Sequence, residues 1–155
     1  MSQLAQQAQP AVEKLLQAEE NQLYEQLGIL AKAMAEDPTK GSSFAPEVTY
    51  DQAQMGLKED VREFGERLFR RLNKEAYKLM CGSDPDDQQA RKGLLDAFGV
   101  SDVAVAAALS GLIVTQLGVA PAIAAVVAAL IVKRFFRPTY EELCALWKKH
   151  LPKEA

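Results

Sequence analysis

Apolar residues recur every three to four positions along most of the chain, the spacing that one face of an α-helix requires. The pattern predicts a long helix over residues 10–36, opened by Pro10, and a second helix over 50–81, with a loop at 37–48 between them. The first apolar stripe consists of Leu16, Leu23, Leu27, Leu30 and Met34, and tolerates Gly28. The second stripe consists of Leu57, Val61, Phe64, Leu68, Leu72, Ala76 and Leu79.

Short start and stop signals divide the rest of the chain into four further helices. Ser101 is suited to the N-cap position, Gly118 can end the helix that follows, and Pro121 can begin the next one. Thr139 and Glu142 form a capping box for the last helix. The predicted segments are 85–98, 102–117, 121–136 and 139–150.

The most informative segment is 103–132, thirty residues without Asp, Glu, Lys, Arg or His. Gly118 and Pro121 interrupt it, and each half would reach only about 18–22 Å, short of the ~30 Å hydrocarbon core of a bilayer. The segment therefore predicts a helical hairpin, 102–117 and 121–136, instead of one spanning helix. Because a helix that is apolar all round must be buried, we expect this hairpin at the centre of a bundle.

Two alternatives to a permanently buried hairpin stay open at this point. Amphipathic helices could shield the hairpin until it inserts into a bilayer, or an open apolar face could serve membrane binding or self-association. The residues that follow the segment would then anchor it at the membrane surface, as positive flanks and interfacial aromatics do. These residues are Lys133, Arg134, Phe135, Phe136 and Arg137. In a soluble protein the same cations would stabilise a helix C-terminus.

Length and composition favour a single all-α domain over residues 1–155. The chain has 48% hydrophobic and 25% charged residues, close to an average globular protein, which excludes a disordered or collagen-like chain. Its formal net charge is −3, and residues 1–60 alone carry −6. A nucleic-acid-binding domain is usually strongly basic, so nucleic acid is an unlikely partner.

The two cysteines and the N-terminus bear on the compartment. Cys81 and Cys144 are far apart and belong to no Cys/His cluster, which argues against zinc. We expect two reduced thiols, with a disulfide only if the fold brings the residues together. The N-terminus lacks the features of a signal peptide. A cytoplasmic protein is therefore expected, with membrane association as the alternative.

Candidate catalytic chemistry is sparse. His150 is the only histidine and lies at the end of the last predicted helix, a poor place for a positioned base. The chain contains no phosphate-binding loop, dinucleotide-binding glycine motif or calcium loop. We therefore expect no catalytic, cofactor-binding or metal-binding residues.

The remaining expectation is a small interaction module that binds a protein partner or self-associates through helix–helix contacts. The first candidate surface is a cluster of cations on one face of the helix 50–81, namely Arg67, Arg70, Arg71 and Lys74. A solvated or intramolecularly paired face is the simpler interpretation of such a cluster. The second candidate is the part of the first stripe that the bundle leaves uncovered, at Leu16, Leu23, Leu27 and Leu30.

Overall fold

Helices account for all the regular secondary structure in the part of the chain that the structure describes. The computed structural model describes residues 3–44, 58–82, 88–137 and 139–151. A short 3₁₀ helix, Pro38–Gly41, follows the second helix. The seven α-helices are α1 (Gln3–Leu15), α2 (Glu20–Glu36), α3 (Lys58–Cys81), α4 (Gln88–Phe98), α5 (Asp102–Leu117), α6 (Pro121–Phe135) and α7 (Tyr140–His150). The all-α fold class is confirmed, with seven described helices where about six were predicted.

The uncharged segment forms α5 and α6, which pack against each other at the centre. The Ser101 side chain accepts a hydrogen bond from the N–H of Ala104 at 3.1 Å and so caps α5. Gly118 ends α5 in the left-handed conformation, with φ of 66°, which glycine adopts without steric cost. Pro121 occupies the first turn of α6. Every residue from 122 to 132 is buried.

The other helices surround this pair. α1 packs mainly on α5, α2 packs mainly on α3, and both also contact α6. α4 lies on α5, and α7 contacts both α3 and α6. A single apolar core contains side chains from all seven helices, so burial is shared among elements far apart in sequence.

The predicted helix over 10–36 is wrong, because the chain turns at residues 16–19 and forms α1 and α2 instead. Pro10 lies inside α1 and does not open it. The turn lets α1 lie on α5 while α2 lies on α3, which one straight rod of about 40 Å could not do. Two contacts stabilise it: Gln22 Oε1 accepts from the N–H of Glu19 at 3.0 Å, and Lys133 Nζ donates to the Leu16 carbonyl at 3.2 Å.

Two glycines set the distance between α2 and α3. A Cβ atom at Gly65 would lie 1.9 Å from the Tyr24 carbonyl oxygen, and one at Gly28 would lie 2.2 Å from the Val61 carbonyl oxygen. The backbones of the two helices therefore touch at a point where no side chain fits. Gly28, which the pattern treats as a tolerated interruption, is required by this close approach.

The buried face of α3 is rotated from the one predicted. Phe64, Leu68 and Leu72 are only half-buried, whereas Phe69 and Asn73 are buried. Because α3 meets α2 at Gly65, the residues one turn before and after it, Val61 and Phe69, also point toward the core. Among the predicted positions, Val61, Ala76 and Leu79 are buried as expected.

Some predictions fall outside the described residues. These are the start of the helix over 50–81 with Leu57, the first residues of the helix over 85–98, and the end of the loop at 37–48.

Candidate functional site

The outward side of α3 carries a row of five cations, which we call the cationic face. At about 100° per residue they fall within an arc of similar width, and they extend about 16 Å along the helix. The members are Arg67, Arg70, Arg71, Lys74 and Lys78. All are exposed except Lys74, which is half-buried. The opposite side of α3 is buried, so the rest of the bundle holds these side chains toward solvent.

Acidic and aromatic side chains border the cationic face. Arg62 and Glu66 form an ion pair at 3.7 Å, one helical turn apart. Phe64 lies beneath two cations, with Lys32 Nζ 5.6 Å and the Arg67 guanidinium carbon 5.9 Å from its ring centre. Such cation–π contacts hold the long side chains near the aromatic ring. The half-exposed Phe64 thus orders one end of the face.

A shallow cavity of about 340 Å³ lies at another border of the cationic face, where α2, α3 and α6 meet. It is lined by Glu20, Tyr24, Glu66, Phe69, Arg70 and Arg134. Arg134 donates to the Tyr24 hydroxyl at 2.8 Å, and its guanidinium carbon lies 5.9 Å from the Phe69 ring centre. Two guanidinium groups and two carboxylates share this cavity, so its charges largely offset each other.

Burial raises the pKa of the Tyr24 phenol above its ordinary value of 10.0. The positive charge of Arg134 and its hydrogen bond act in the opposite direction, and the carboxylates of Glu20 and Glu66 act with burial. The phenol is therefore neutral at physiological pH. It accepts the hydrogen bond from Arg134 and is not poised to act as a base.

A second cavity, of about 480 Å³, lies between α1, the start of α6 and the residues after the 3₁₀ helix. Its lining residues are Leu4, Gln7, Pro10, Ala11, Ser42, Ser43, Phe44 and Pro121. None of these side chains ionises in the physiological range. The cavity therefore offers no acid–base or nucleophile–base pair for catalysis.

The leucine stripe predicted as a second partner surface lies mostly in the core. Leu23, Leu27 and Leu30 are fully buried, and Leu16 is half-buried at the turn between α1 and α2. The apolar surface of these leucines is buried mainly by packing within the bundle. A partner site there would need uncovered apolar surface. Leu23, Leu27 and Leu30 leave none uncovered.

The residues predicted as a membrane anchor are divided between core and surface. Phe135 is buried and stacks on Trp147 with ring centres 5.7 Å apart, and Phe136 stacks on Phe98 at 5.9 Å. Arg137 is exposed, and so are Lys133 and Arg134, both of which bond to α1–α2 residues. The aromatic rings therefore do not form an exposed belt beside the cations.

Neither a metal site nor a spanning helix is found in the described residues. No group of three or more His, Cys, Asp or Glu side chains there could hold a metal ion. Within the same residues, no helix has both the length and the hydropathy to cross a bilayer. His150 is exposed at the end of α7, with Nδ1 3.0 Å from the Leu146 carbonyl oxygen.

Cys81 and Cys144 are joined by a disulfide, so the expectation of two reduced thiols is wrong. They lie 63 positions apart, but α7 places Cys144 beside the last residue of α3, with the two Cα atoms 5.8 Å apart. Disulfides persist in oxidising compartments, and those found in the cytosol are usually catalytic or redox-sensing. The argument for a cytoplasmic protein from reduced thiols therefore no longer holds.

Next to the disulfide, a buried polar contact joins α3 and α7 that the sequence does not reveal. Trp147 Nε1 donates to Asn73 Oδ1 at 2.8 Å, and both residues are buried. Tyr77 packs edge-on against Trp147 at 5.4 Å, and the Tyr140 hydroxyl donates to the Met80 carbonyl. The only sequence signal is the helical spacing that puts Asn73 on the same face as the apolar residues Phe69 and Ala76.

Comparison with known proteins gives no match: no family model fits the chain, and no curated protein or solved structure matches it.

Proposed function

We propose that this protein is a non-enzymatic helical module that binds an acidic protein surface through the cationic face of α3. The observation that carries the proposal is the joint exposure of Arg67, Arg70 and Arg71 on a helix whose other side is buried. Guanidinium groups bind carboxylates in a two-point geometry, so a row of them matches a row of Asp and Glu side chains.

The charge around the face favours a protein over a nucleic acid. Glu63 lies one turn before Arg67, and Glu75 lies beside Lys74 and Lys78. Negative charges at these positions would repel the regularly spaced phosphates of a nucleic acid. The chain as a whole carries −3, which adds to this repulsion. A protein partner can instead place its own carboxylates and cations to complement this mixed pattern.

Rigidity of α3 also supports a binding role. The helix is held to α2 at Gly28 and Gly65, and its buried side belongs to the common core. A surface held in place before binding loses less conformational entropy when a partner docks. The cationic face is thus presented by a helix whose other side is fixed by packing.

Binding to poly-L-glutamate, measured by isothermal titration calorimetry at low salt, tests the proposal. We expect Arg70→Gln/Arg71→Gln to weaken binding about tenfold, since each lost charge-assisted contact contributes roughly 0.5–1 kcal/mol. The matched control is Lys148→Gln/Lys149→Gln, which removes two exposed cations from α7 and should leave binding unchanged.

Three outcomes would contradict the proposal. The wild-type protein could fail to bind, both double variants could weaken binding equally, or a 20-base-pair DNA duplex could bind more tightly than poly-L-glutamate. Sedimentation velocity of the same variants shows whether the acidic surface belongs to a second copy. In that case Arg70→Gln/Arg71→Gln would shift a wild-type dimer to monomer.

A second candidate function is membrane activity of the α5–α6 pair. It rests on the thirty residues 103–132, which carry no charge and could enter the apolar part of a bilayer as a hairpin, without spanning it, if the surrounding helices move away. Flotation with vesicles of anionic lipid at neutral and acidic pH tests it. Under this candidate the protein floats with the vesicles in at least one condition. Protein that stays at the bottom of the gradient in both conditions excludes membrane activity.

A further inference from the structure

The Cys81–Cys144 disulfide joins two elements that otherwise share few contacts. Cys81 is the last residue of α3, and Cys144 lies in the middle of α7. Both residues are half-buried, so neither cysteine lies in the fully enclosed core. α7 contacts only a limited part of α3 and α6. A short helix held in part by a disulfide outside the fully enclosed core is open to chemical control.

Apart from the disulfide, α7 is docked by a cluster of apolar, aromatic and polar contacts with α3, α4 and α6. Two of its side chains, Leu143 and Trp147, are fully buried. Trp147 bonds to Asn73, and Tyr140 bonds to the Met80 carbonyl. An isolated helix of 11 residues is not stable in water, so α7 depends on these contacts to stay folded.

The disulfide also closes the loop that contains α4, α5 and α6. The whole uncharged segment, 103–132, lies between the two cysteines. Opening the disulfide therefore frees the C-terminal end of this loop from α3. Phe135 at the end of α6, which stacks on Trp147, would then lose its cover.

We propose that Cys81–Cys144 is a reversible redox site, and that its reduction releases α7 from α3 and uncovers the ring of Phe135. This role is separate from the proposed partner binding at the cationic face. A dithiol is the reductant: its thiolate attacks one sulfur, a mixed disulfide forms, and the other cysteine leaves as a thiolate and takes up a proton. The second thiol of the reductant then displaces the first cysteine. Two electrons and two protons reach the cysteine pair, and the dithiol becomes a disulfide.

The position of the bond makes reduction local in its effect. Single elements can open independently of the rest of a protein, and α7 meets its neighbours over a smaller part of its length than α5 or α6 does. α5 and α6 are held by α1, α2, α3 and α4 as well, and these contacts do not involve the disulfide. Reduction therefore loosens α7 and leaves the central pair folded.

Trp147 is the only tryptophan of the chain, so its fluorescence reports on α7 directly. We expect treatment with dithiothreitol to shift its emission maximum to longer wavelength and to raise the acrylamide quenching constant at least threefold. The wavelength and the quenching constant are the readouts, because a nearby disulfide itself lowers tryptophan intensity. Reoxidation with glutathione disulfide should restore both values.

The variant Cys81→Ser/Cys144→Ser should show the reduced-state spectrum with and without dithiothreitol, which excludes a direct effect of the reagent. Far-ultraviolet circular dichroism follows the other helices and should retain most of its signal, since only the 11 residues of α7 are released. A thiol titration should find no free thiol per chain before reduction and two after it.

Four results would overturn the proposal. Two free thiols in the untreated protein would show that the bond does not form. An unchanged tryptophan spectrum after complete reduction would show that α7 stays docked without it. A collapse of the circular dichroism signal would assign the bond a global structural role. Failure to recover on reoxidation would show that the site is not reversible.

Discussion

Replacing Trp147 by alanine should lower the free energy of unfolding by about 3–5 kcal/mol, the range for a buried tryptophan. The side chain is fully buried between Phe135 and Tyr77, and it satisfies the side-chain oxygen of Asn73. The change removes both ring contacts, leaves a cavity and leaves a buried acceptor without its donor. Urea unfolding followed by circular dichroism measures the effect.

Two further variants separate the ring contacts from the hydrogen bond. Trp147→Phe keeps an aromatic ring but leaves the side-chain oxygen of Asn73 without a donor. It should lower the free energy of unfolding by about 1–3 kcal/mol. Asn73→Leu combined with Trp147→Phe removes both polar partners and should recover part of that loss. If Trp147→Ala changed stability by less than 1 kcal/mol, α7 would not be docked as the structure places it.

Replacing Gly65 by alanine should destabilise the protein by about 3 kcal/mol, the upper part of the usual range for overpacking. The added Cβ would lie 1.9 Å from the Tyr24 carbonyl oxygen, and the nearest atoms belong to backbone, which cannot move aside as a flexible side chain can. α2 and α3 must therefore separate along their contact. The midpoint of thermal unfolding, with the free energy from urea titration, checks this result.

Gly93 provides the matched control, because it also lies within a helix and a Cβ atom there meets nothing within 4 Å. Gly93→Ala should raise stability by about 0.5–1 kcal/mol, as it removes the helix-breaking freedom of glycine without steric cost. Equal effects of the two substitutions would mean that the α2–α3 contact is not as close as the structure has it.

Most helix boundaries in the second half of the chain could be predicted because their signals are local. Ser101 bonds to an N–H three residues away, and Thr139 accepts from the N–H of Glu142. Gly118 supplies the left-handed residue at the end of α5, and Pro121 begins α6. A cap or a left-handed turn depends on about four neighbouring residues, so the sequence carries the whole interaction.

The turn between α1 and α2 could not be predicted in the same way. Continuous helical spacing runs through residues 16–19, and no glycine or proline marks the break. The carbonyl of Leu16, in the turn after α1, accepts a hydrogen bond from Lys133, which is 117 positions away. Packing of α1 on α5 and of α2 on α3 stabilises the protein by more than one continuous helix would. These contacts form only in the folded chain.

The two predicted partner surfaces also differ in how far local sequence signals could predict them. Helical periodicity alone places the five cations of α3 on one side, and the structure finds Arg67, Arg70 and Arg71 exposed there. The leucine stripe of α2 has an equally regular spacing, yet the bundle buries it. An apolar stripe is compatible with an internal or an external partner, and the spacing does not distinguish them.

Local sequence signals were enough to predict the all-α class, the bend between α5 and α6 and the common side of the α3 cations. Each of these depends on residues within a few turns of one another. Three features follow from long-range packing instead: the break before α2, the close approach of Gly28 and Gly65, and the contacts of Cys81 and Asn73 with α7. Those contacts join residues tens of positions apart, and their energy arises only when packing brings the helices together.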